Sequence, residues 1–282
     1  MIMSDKAISV DGVLVPRFLY GTAWKEDHTE RLVGMALRAG FRGIDTANQR
    51  KHYHEAQVGA AISTAISDGL VTRSDVFLQT KFTFQHGQDH RLPYDLRAPI
   101  SKQVEQSFAS SLEHLGTDHV ESYVLHGPSV STGLSSDDWE AWRAMESIYD
   151  RGQTRLLGIS NVSLGQLQLL VADARVKLRF VQNRCYASRN WDQDVRRFCA
   201  ENEILYQGFS LLTANQNVLA SREMKQVAKD HNATPAQIIF RFALDIGMLP
   251  LTGTTSAKHM QADLDCFDLE LTPEEIEQIK RV

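Results

Sequence analysis

Cysteine is scarce in this chain of 282 residues: Cys185, Cys199 and Cys266 are scattered, odd in number and never in CxxC spacing. That argues against a disulfide framework or a zinc ribbon and leaves three reduced thiols in a core. No run of about 18 apolar residues exists to cross a membrane, and the opening MIMSDKAISVDG lacks the apolar stretch of a signal peptide. A cytoplasmic protein without a membrane partner is expected. Charge of one sign is never concentrated: Lys+Arg 30 against Asp+Glu 35 gives a net charge of -5, with no basic arm for nucleic acid. GxGxxG and GxxxxGK[ST] are both absent, which removes the two simplest nucleotide-binding motifs. Linker-like Pro/Gly/Ser stretches are missing as well, so residues 1–282 are expected to form one domain.

What is present is alternation. Residues 7–16, AISVDGVLVP, carry apolar residues around Asp11-Gly12, a dipeptide suited to a type I′ turn, and predict a small β-hairpin. Short apolar runs then predict strands at 18–23, 43–47, 76–82, 121–127, 154–161, 177–183, 203–209 and 248–253. Amphipathic stretches fall near 29–40, 55–69, 99–115, 137–151, 163–173, 191–202, 219–231 and 235–246, with a last helix at 272–280. Thr234-Pro235 and Thr272-Pro273 read as caps followed by proline in the first turn. Repeated βα units with eight strands predict an α/β protein of the (β/α)8 TIM-barrel class, with the hairpin at its N-terminus. Residues 86–99 read as an extended loop after the third barrel strand.

Three of these strands deliver an ionisable residue at the far end: Asp45 in GIDT, Lys81 in VFLQTK and His126 in SYVLH, with Tyr53 shortly after the first. Strand C-termini are where parallel α/β architectures bind ligands. Singly, each has an ordinary structural explanation: an aspartate caps a helix, a lysine snorkels, a histidine packs. Together they read as a proton-relay site and the chain as an enzyme.

The segments GIDTA, LQTK, YVLHGP, GISN and FVQN, in this order across nearly the whole chain, resemble the aldo-keto reductase superfamily. The resemblance implies a barrel that binds an extended nicotinamide dinucleotide and reduces an aldehyde or ketone to an alcohol without a metal. Its catalytic tetrad projects onto Asp45, Tyr53, Lys81 and His126. The chemistry suits those types: hydride arriving at a carbonyl carbon leaves an alkoxide that needs a proton. Tyr53 would supply it, Lys81 would draw the phenol toward working pH, Asp45 would hold Lys81, and His126 would orient the carbonyl. The chain departs from the family at the tyrosine, which stands eight residues after Asp45; the usual spacing of five falls on Arg50. Counted back from Val58-Gly59, Tyr53 is one position from the usual place, so a lengthened loop is expected, with a non-catalytic loop tyrosine as the other reading.

Further positions follow from the resemblance. Thr22 or Ala23 would lie near the cofactor, and Trp24 would wall the substrate pocket or pack in the core. Ser160, Asn161 and Gln182 would hydrogen-bond the nicotinamide carboxamide. In GFSLL, Phe209 would stack on the nicotinamide ring, followed by Ser210 and Leu211. Gly253 and Thr254 would approach the pyrophosphate before a short helix. Lys258 and His259 would meet a 2′-phosphate, favouring NADPH with NADH possible, and Asp263 stands where an adenine-binding asparagine is common. Phe82 and His126 join Trp24 as substrate contacts, with Phe84 and Trp191 as further aromatic candidates. The chain stops at Val282 soon after its last helix, so an open site for a small carbonyl compound is expected. The competing readings are a regulatory barrel that binds cofactor with little turnover, and a metal-dependent hydrolase using His52-Xaa-His54 with Glu55.

Overall fold

Asp11 and Gly12 both adopt positive φ, +48° and +80°, the pair of left-handed residues that a type I′ turn requires. They join β1 (Ala7–Val10) to β2 (Val13–Pro16) in an antiparallel hairpin. The computed structural model describes residues 6–282. After the hairpin come β3 (Leu19–Gly21), α1 (Thr29–Ala39), β4 (Gly43–Asp45), α2 (Glu55–Ser67), β5 (Phe77–Phe82), α3 (Ile100–Leu115), β6 (Val120–Leu125) and α4 (Ser136–Asp150). The second half continues with β7 (Thr154–Ser160), α5 (Leu164–Asp173), β8 (Leu178–Arg184), α6 (Gln193–Glu201), β9 (Leu205–Phe209), α7 (Gln216–Ala220), α8 (Arg222–Asp230), α9 (Pro235–Asp245), β10 (Met248–Thr252), α10 (Ala257–Leu264) and α11 (Pro273–Lys280). Strands β3 to β10 form a closed parallel barrel in which β10 returns to pair with β3, so the (β/α)8 expectation holds.

Local chemistry sets the helix starts. Ser135, Ser163, Thr234 and Thr272 each accept from the backbone N–H of the third helical residue through their hydroxyl and donate their own backbone N–H to that residue's side chain. The predicted helix over 219–231 is two helices. Ser221 takes extended backbone angles and its hydroxyl accepts from Met224 N, starting α8 afresh after α7.

Strand alternation divides the side chains. Val15, Leu19, Phe77, Leu156, Phe180 and Leu249 form an apolar plug at the hairpin end of the barrel. Arg179 clamps the hairpin to it with two hydrogen bonds to the Asp11 carboxylate, each 2.6 Å. One residue pair further along β5, β8 and β9, the inward positions become Gln79, Gln182 and Gln207, which bond to one another inside the barrel. The interior thus passes from apolar to polar toward the strand C-termini. Among the described residues no helix is long and apolar enough to cross a membrane, and the three cysteines are buried and free.

Candidate active site

The polar end of the barrel begins with a buried ion pair. Lys81, fully buried on β5, places Nζ 2.5 Å from Asp45 Oδ1 at the end of β4 and 2.8 Å from the carbonyl of Thr46. Burial lowers the Lys81 pKa, and the Asp45 charge works against that shift. Gln79 and Gln182 donate to the same Asp45 oxygen at 2.7 and 3.0 Å. A buried charge needs this kind of partnering, because an unpaired one costs several kcal/mol.

Above the pair stands Tyr53, whose ring centroid is 5.5 Å from Lys81 Nζ and 6.0 Å from the His126 ring. Its lengthened loop is held by its neighbours. The loop after β5 supplies Gln88 Nε2 to the Asn48 carbonyl at 2.7 Å and Arg91 Nη2 to the Arg50 carbonyl at 2.8 Å. The loop after β3 supplies Trp24 N to the His52 carbonyl at 2.7 Å. Gln49 in turn donates to Gly87 O at 2.6 Å. Behind the loop, Glu55 opens α2 as a buried carboxylate that accepts from Thr80 and from Ser111.

The electrostatics of the phenol run opposite to expectation. Burial first, and the Asp45 charge second, raise the Tyr53 pKa. Lys81 does not reverse this, since its ammonium is committed to Asp45 and Thr46. His126 is pushed down to about 3, by burial and then by the charge of Lys81, so its imidazole is neutral at working pH. Its Nδ1 lies 2.7 Å from Thr83 Oγ1.

A cleft of about 660 Å³ opens here, lined by Asp45, Tyr53 and His126. Of the residues expected at a cofactor, Ala23, Ser160, Asn161, Gln182, Phe209, Ser210, Leu211, Gly253 and Thr254 line it, with Trp24 at its wall. Trp24 is 67% exposed and stacks on His52 with ring centroids 3.7 Å apart, which excludes the core reading.

Other expected contacts are corrected. Inward-facing Gln79 and Lys81 leave Phe82 pointing out of the barrel, where it is buried against Phe84 and Tyr94 at 5.2 and 5.7 Å. Phe82 and Phe84 are therefore packing residues. So is Trp191, 1% exposed and set edge-on to Phe242. Thr22 is buried and spends its hydroxyl on the Asp45 carbonyl. Asp263 is buried with Oδ2 2.7 Å from Thr252 Oγ1, turned toward β10 and outside the cleft lining. Lys258 and His259 are not among the corrected contacts: exposed on the first turn of α10, they stand just beyond the cleft lining, open to a group that extends past Gly253-Thr254. The His52 and His54 pair does not converge on a common point with Glu55: His52 bonds to Gln49 and stacks on Trp24, while Glu55 is turned to Thr80 and Ser111.

Sequence reasoning missed four cleft or support residues. Gln79 and Gln207 sit at inward positions of strands that were predicted, a signal available from their even spacing to Lys81 and Phe209. Thr83 and Arg184 carried no motif; Arg184 lines the cleft and donates from Nε to Ser210 Oγ at 3.2 Å.

The cleft suits a nicotinamide dinucleotide on its own terms: a Gln182 side chain at its wall whose NH2 is spent inside the barrel, an apolar Phe209 face, and the α10 N-terminus with two basic side chains beyond Gly253-Thr254. Residues 19–282 match the model of the Aldo/keto reductase family. The chain belongs to that family and is an NAD(P)H-dependent oxidoreductase. It is 28% identical over 300 residues to prostaglandin F synthase 1 of Bos taurus, covering 95% of this chain and 88% of that one. Its fold matches a crystal structure of an aldo/keto reductase from Brucella melitensis with TM-score 0.83 and 27% identity, covering 100% and 99% of the two chains. The structure of an aldo-keto reductase from Bombyx mori in complex with NADP matches with TM-score 0.82 and 24% identity, covering 98% and 92%.

Proposed function

We propose that this enzyme reduces a small aldehyde or ketone with NADPH and that Tyr53 delivers the proton. The observation that carries the reading is the convergence of the Asp45–Lys81 pair, Tyr53 and His126 on one cleft at the strand C-termini. When bound, the reduced nicotinamide supplies hydride to the carbonyl carbon. His126, neutral and braced by Thr83, donates from Nε2 to the carbonyl oxygen and fixes its position. Tyr53 keeps its proton in the resting site because burial and Asp45 oppose phenolate. It releases that proton only as negative charge grows on the substrate oxygen. The Lys81 ammonium, 5.5 Å from the Tyr53 ring, steadies the phenolate left behind.

Phe209 would support the nicotinamide face, Gln182 and Asn161 its carboxamide, and Gly253-Thr254 the pyrophosphate, with Lys258 and His259 meeting the 2′-phosphate. Exposed Trp24 and its partner His52 leave the substrate side open to small carbonyl compounds of varied shape. Residues 1–282 act as one catalytic domain in this reading, and three buried free thiols suit a reducing cytoplasm.

The test is the loss of nicotinamide absorbance with NADPH and NADH against a panel of aldehydes and ketones, for the wild type and Tyr53→Phe. Turnover that falls by about 10²- to 10⁴-fold in the variant, with cofactor affinity kept, is the expected result. Wild-type turnover in Tyr53→Phe would overturn the assignment.

A further inference from the structure

Three carboxamides occupy the barrel between its apolar plug and the cleft, and one charge fixes all their directions. A carboxylate only accepts hydrogen bonds, so both Gln79 and Gln182 must turn their NH2 groups toward Asp45 Oδ1, at 2.7 and 3.0 Å. Each has a second proton, and both of these go to Gln207 Oε1, at 2.8 and 2.9 Å. Gln207 Nε2 returns a proton to Gln79 Oε1 at 3.0 Å, which also accepts from Ser122 Oγ at 2.9 Å. Gln79 and Gln207 are fully buried and Gln182 is 4% exposed. With both protons of Gln182 Nε2 spent inside the barrel, only Oε1 is left for the cleft, and among the described residues no donor reaches it.

Its neighbour is committed in the same sense. Asn161 Nδ2 donates to the His126 carbonyl at 2.8 Å and to Ser160 Oγ at 3.1 Å, and Ser160 Oγ donates to the Gln182 carbonyl at 2.7 Å. Gln182 and Asn161 therefore both offer oxygen to the cleft.

We propose that Gln207, together with Gln79, is a positioning residue that locks Gln182 as a pure hydrogen-bond acceptor, so that the site recognises nicotinamide through the NH2 of its carboxamide. This rests on the reading that the cleft holds a nicotinamide cofactor. A ligand with a methyl group in place of that NH2 has nothing to donate and leaves the Gln182 oxygen unpaired against an apolar group. Without Gln207, the second proton of Gln182 loses its acceptor, a single bond to Asp45 is left to orient the amide, and the preference for NH2 weakens.

The experiment is a pair of binding titrations, read by quenching of protein fluorescence, with NADP+ and with its 3-acetylpyridine analogue, which carries methyl where NADP+ carries NH2. The wild type is expected to prefer NADP+ by about tenfold or more. Gln207→Met brings that ratio close to one, chiefly through weaker NADP+ binding. Gln207→Glu, held in its neutral acid form by burial beside Asp45, keeps a carbonyl acceptor for both neighbouring amides and a hydroxyl donor for Gln79 and restores most of the preference, a rescue that a merely space-filling role would not produce. Folding is checked by thermal melting, and Gln79→Met carries the same measurement if Gln207→Met does not fold.

An unchanged ratio in folded Gln207→Met overturns the proposal while leaving the cofactor reading intact. An unchanged ratio in Gln182→Met means instead that Gln182 does not touch the carboxamide, and no binding of NADP+ to the wild type removes the cofactor reading itself. These failures are distinguishable from one another.

Discussion

Thr83 Oγ1 lies 2.7 Å from His126 Nδ1, at the base of an imidazole whose other nitrogen is left to face the cleft. The proposed reaction requires the hydroxyl to donate to Nδ1, so that the proton of the neutral ring sits on Nε2 toward the substrate oxygen. Thr83→Val keeps the shape and removes the donor. Turnover number is expected to fall about tenfold with little change in KM, and Thr83→Ser is expected to recover most of it. Because His126 is held near pKa 3, the steady-state pH profile of the wild type should show no limb from this histidine between about pH 5 and 8. Wild-type turnover in Thr83→Val would reduce the contact to packing.

The Asp45–Lys81 pair is buried on both sides, so removal of either partner strands a charge. Asp45→Asn or Lys81→Met is each expected to cost about 3–5 kcal/mol in urea unfolding. The double variant Asp45→Leu/Lys81→Met should cost clearly less than the sum of the singles. Additive losses would mean that the two groups act independently.

Asp263 carries a pKa raised to about 6, with burial the leading cause and the Thr252 hydroxyl opposing it. An aspartate in the unfolded chain ionises near pH 4, so the folded protein holds its proton longer. Stability should therefore fall as pH rises from about 4 to 6 and stay level above. Asp263→Asn can still accept from Thr252 without ionising. It is expected to gain on the order of 2 kcal/mol over wild type at pH 7, with the gain vanishing below about pH 4. Thermal melts across that range decide it, and a pH-independent difference would show that the carboxylate is not the cause.

Lys258 and His259 stand together on the first turn of α10. Replacing both with alanine should weaken NADPH binding by about fivefold or more while leaving NADH nearly unchanged, measured by paired titrations. Equal losses for the two cofactors would show that these side chains do not read the 2′-phosphate.

Where sequence reasoning succeeded, it used signals that survive without tertiary context. The hairpin was legible because Asp11-Gly12 specifies its own turn, and the barrel strands because apolar runs recur with helical patterns between them. That Asp45, Lys81 and His126 lie together at one end of the barrel was legible because a charge or an imidazole is conspicuous at the end of an apolar strand. Phe82 was misplaced for lack of a facing rule: once Lys81 is known to point inward, its neighbour must point out. Trp191 was misplaced because a tryptophan in a polar stretch gives no hint that it will close on Phe242. Gln79 and Gln207 escaped notice because a neutral amide stands out only when its partners on other strands are known.

The Tyr53 loop has one further consequence. Its backbone carbonyls at Asn48, Arg50 and His52 are fastened by Gln88, Arg91 and Trp24, none of which belongs to the loop. The phenol is thus placed by a scaffold drawn from two separate stretches of chain outside its own loop, and the extra length of the loop is taken up without being left slack. Distance along the sequence then ceases to measure distance from the Tyr53 phenol: a change at Gln88 bears on its placement as directly as a change at Lys51, two residues away.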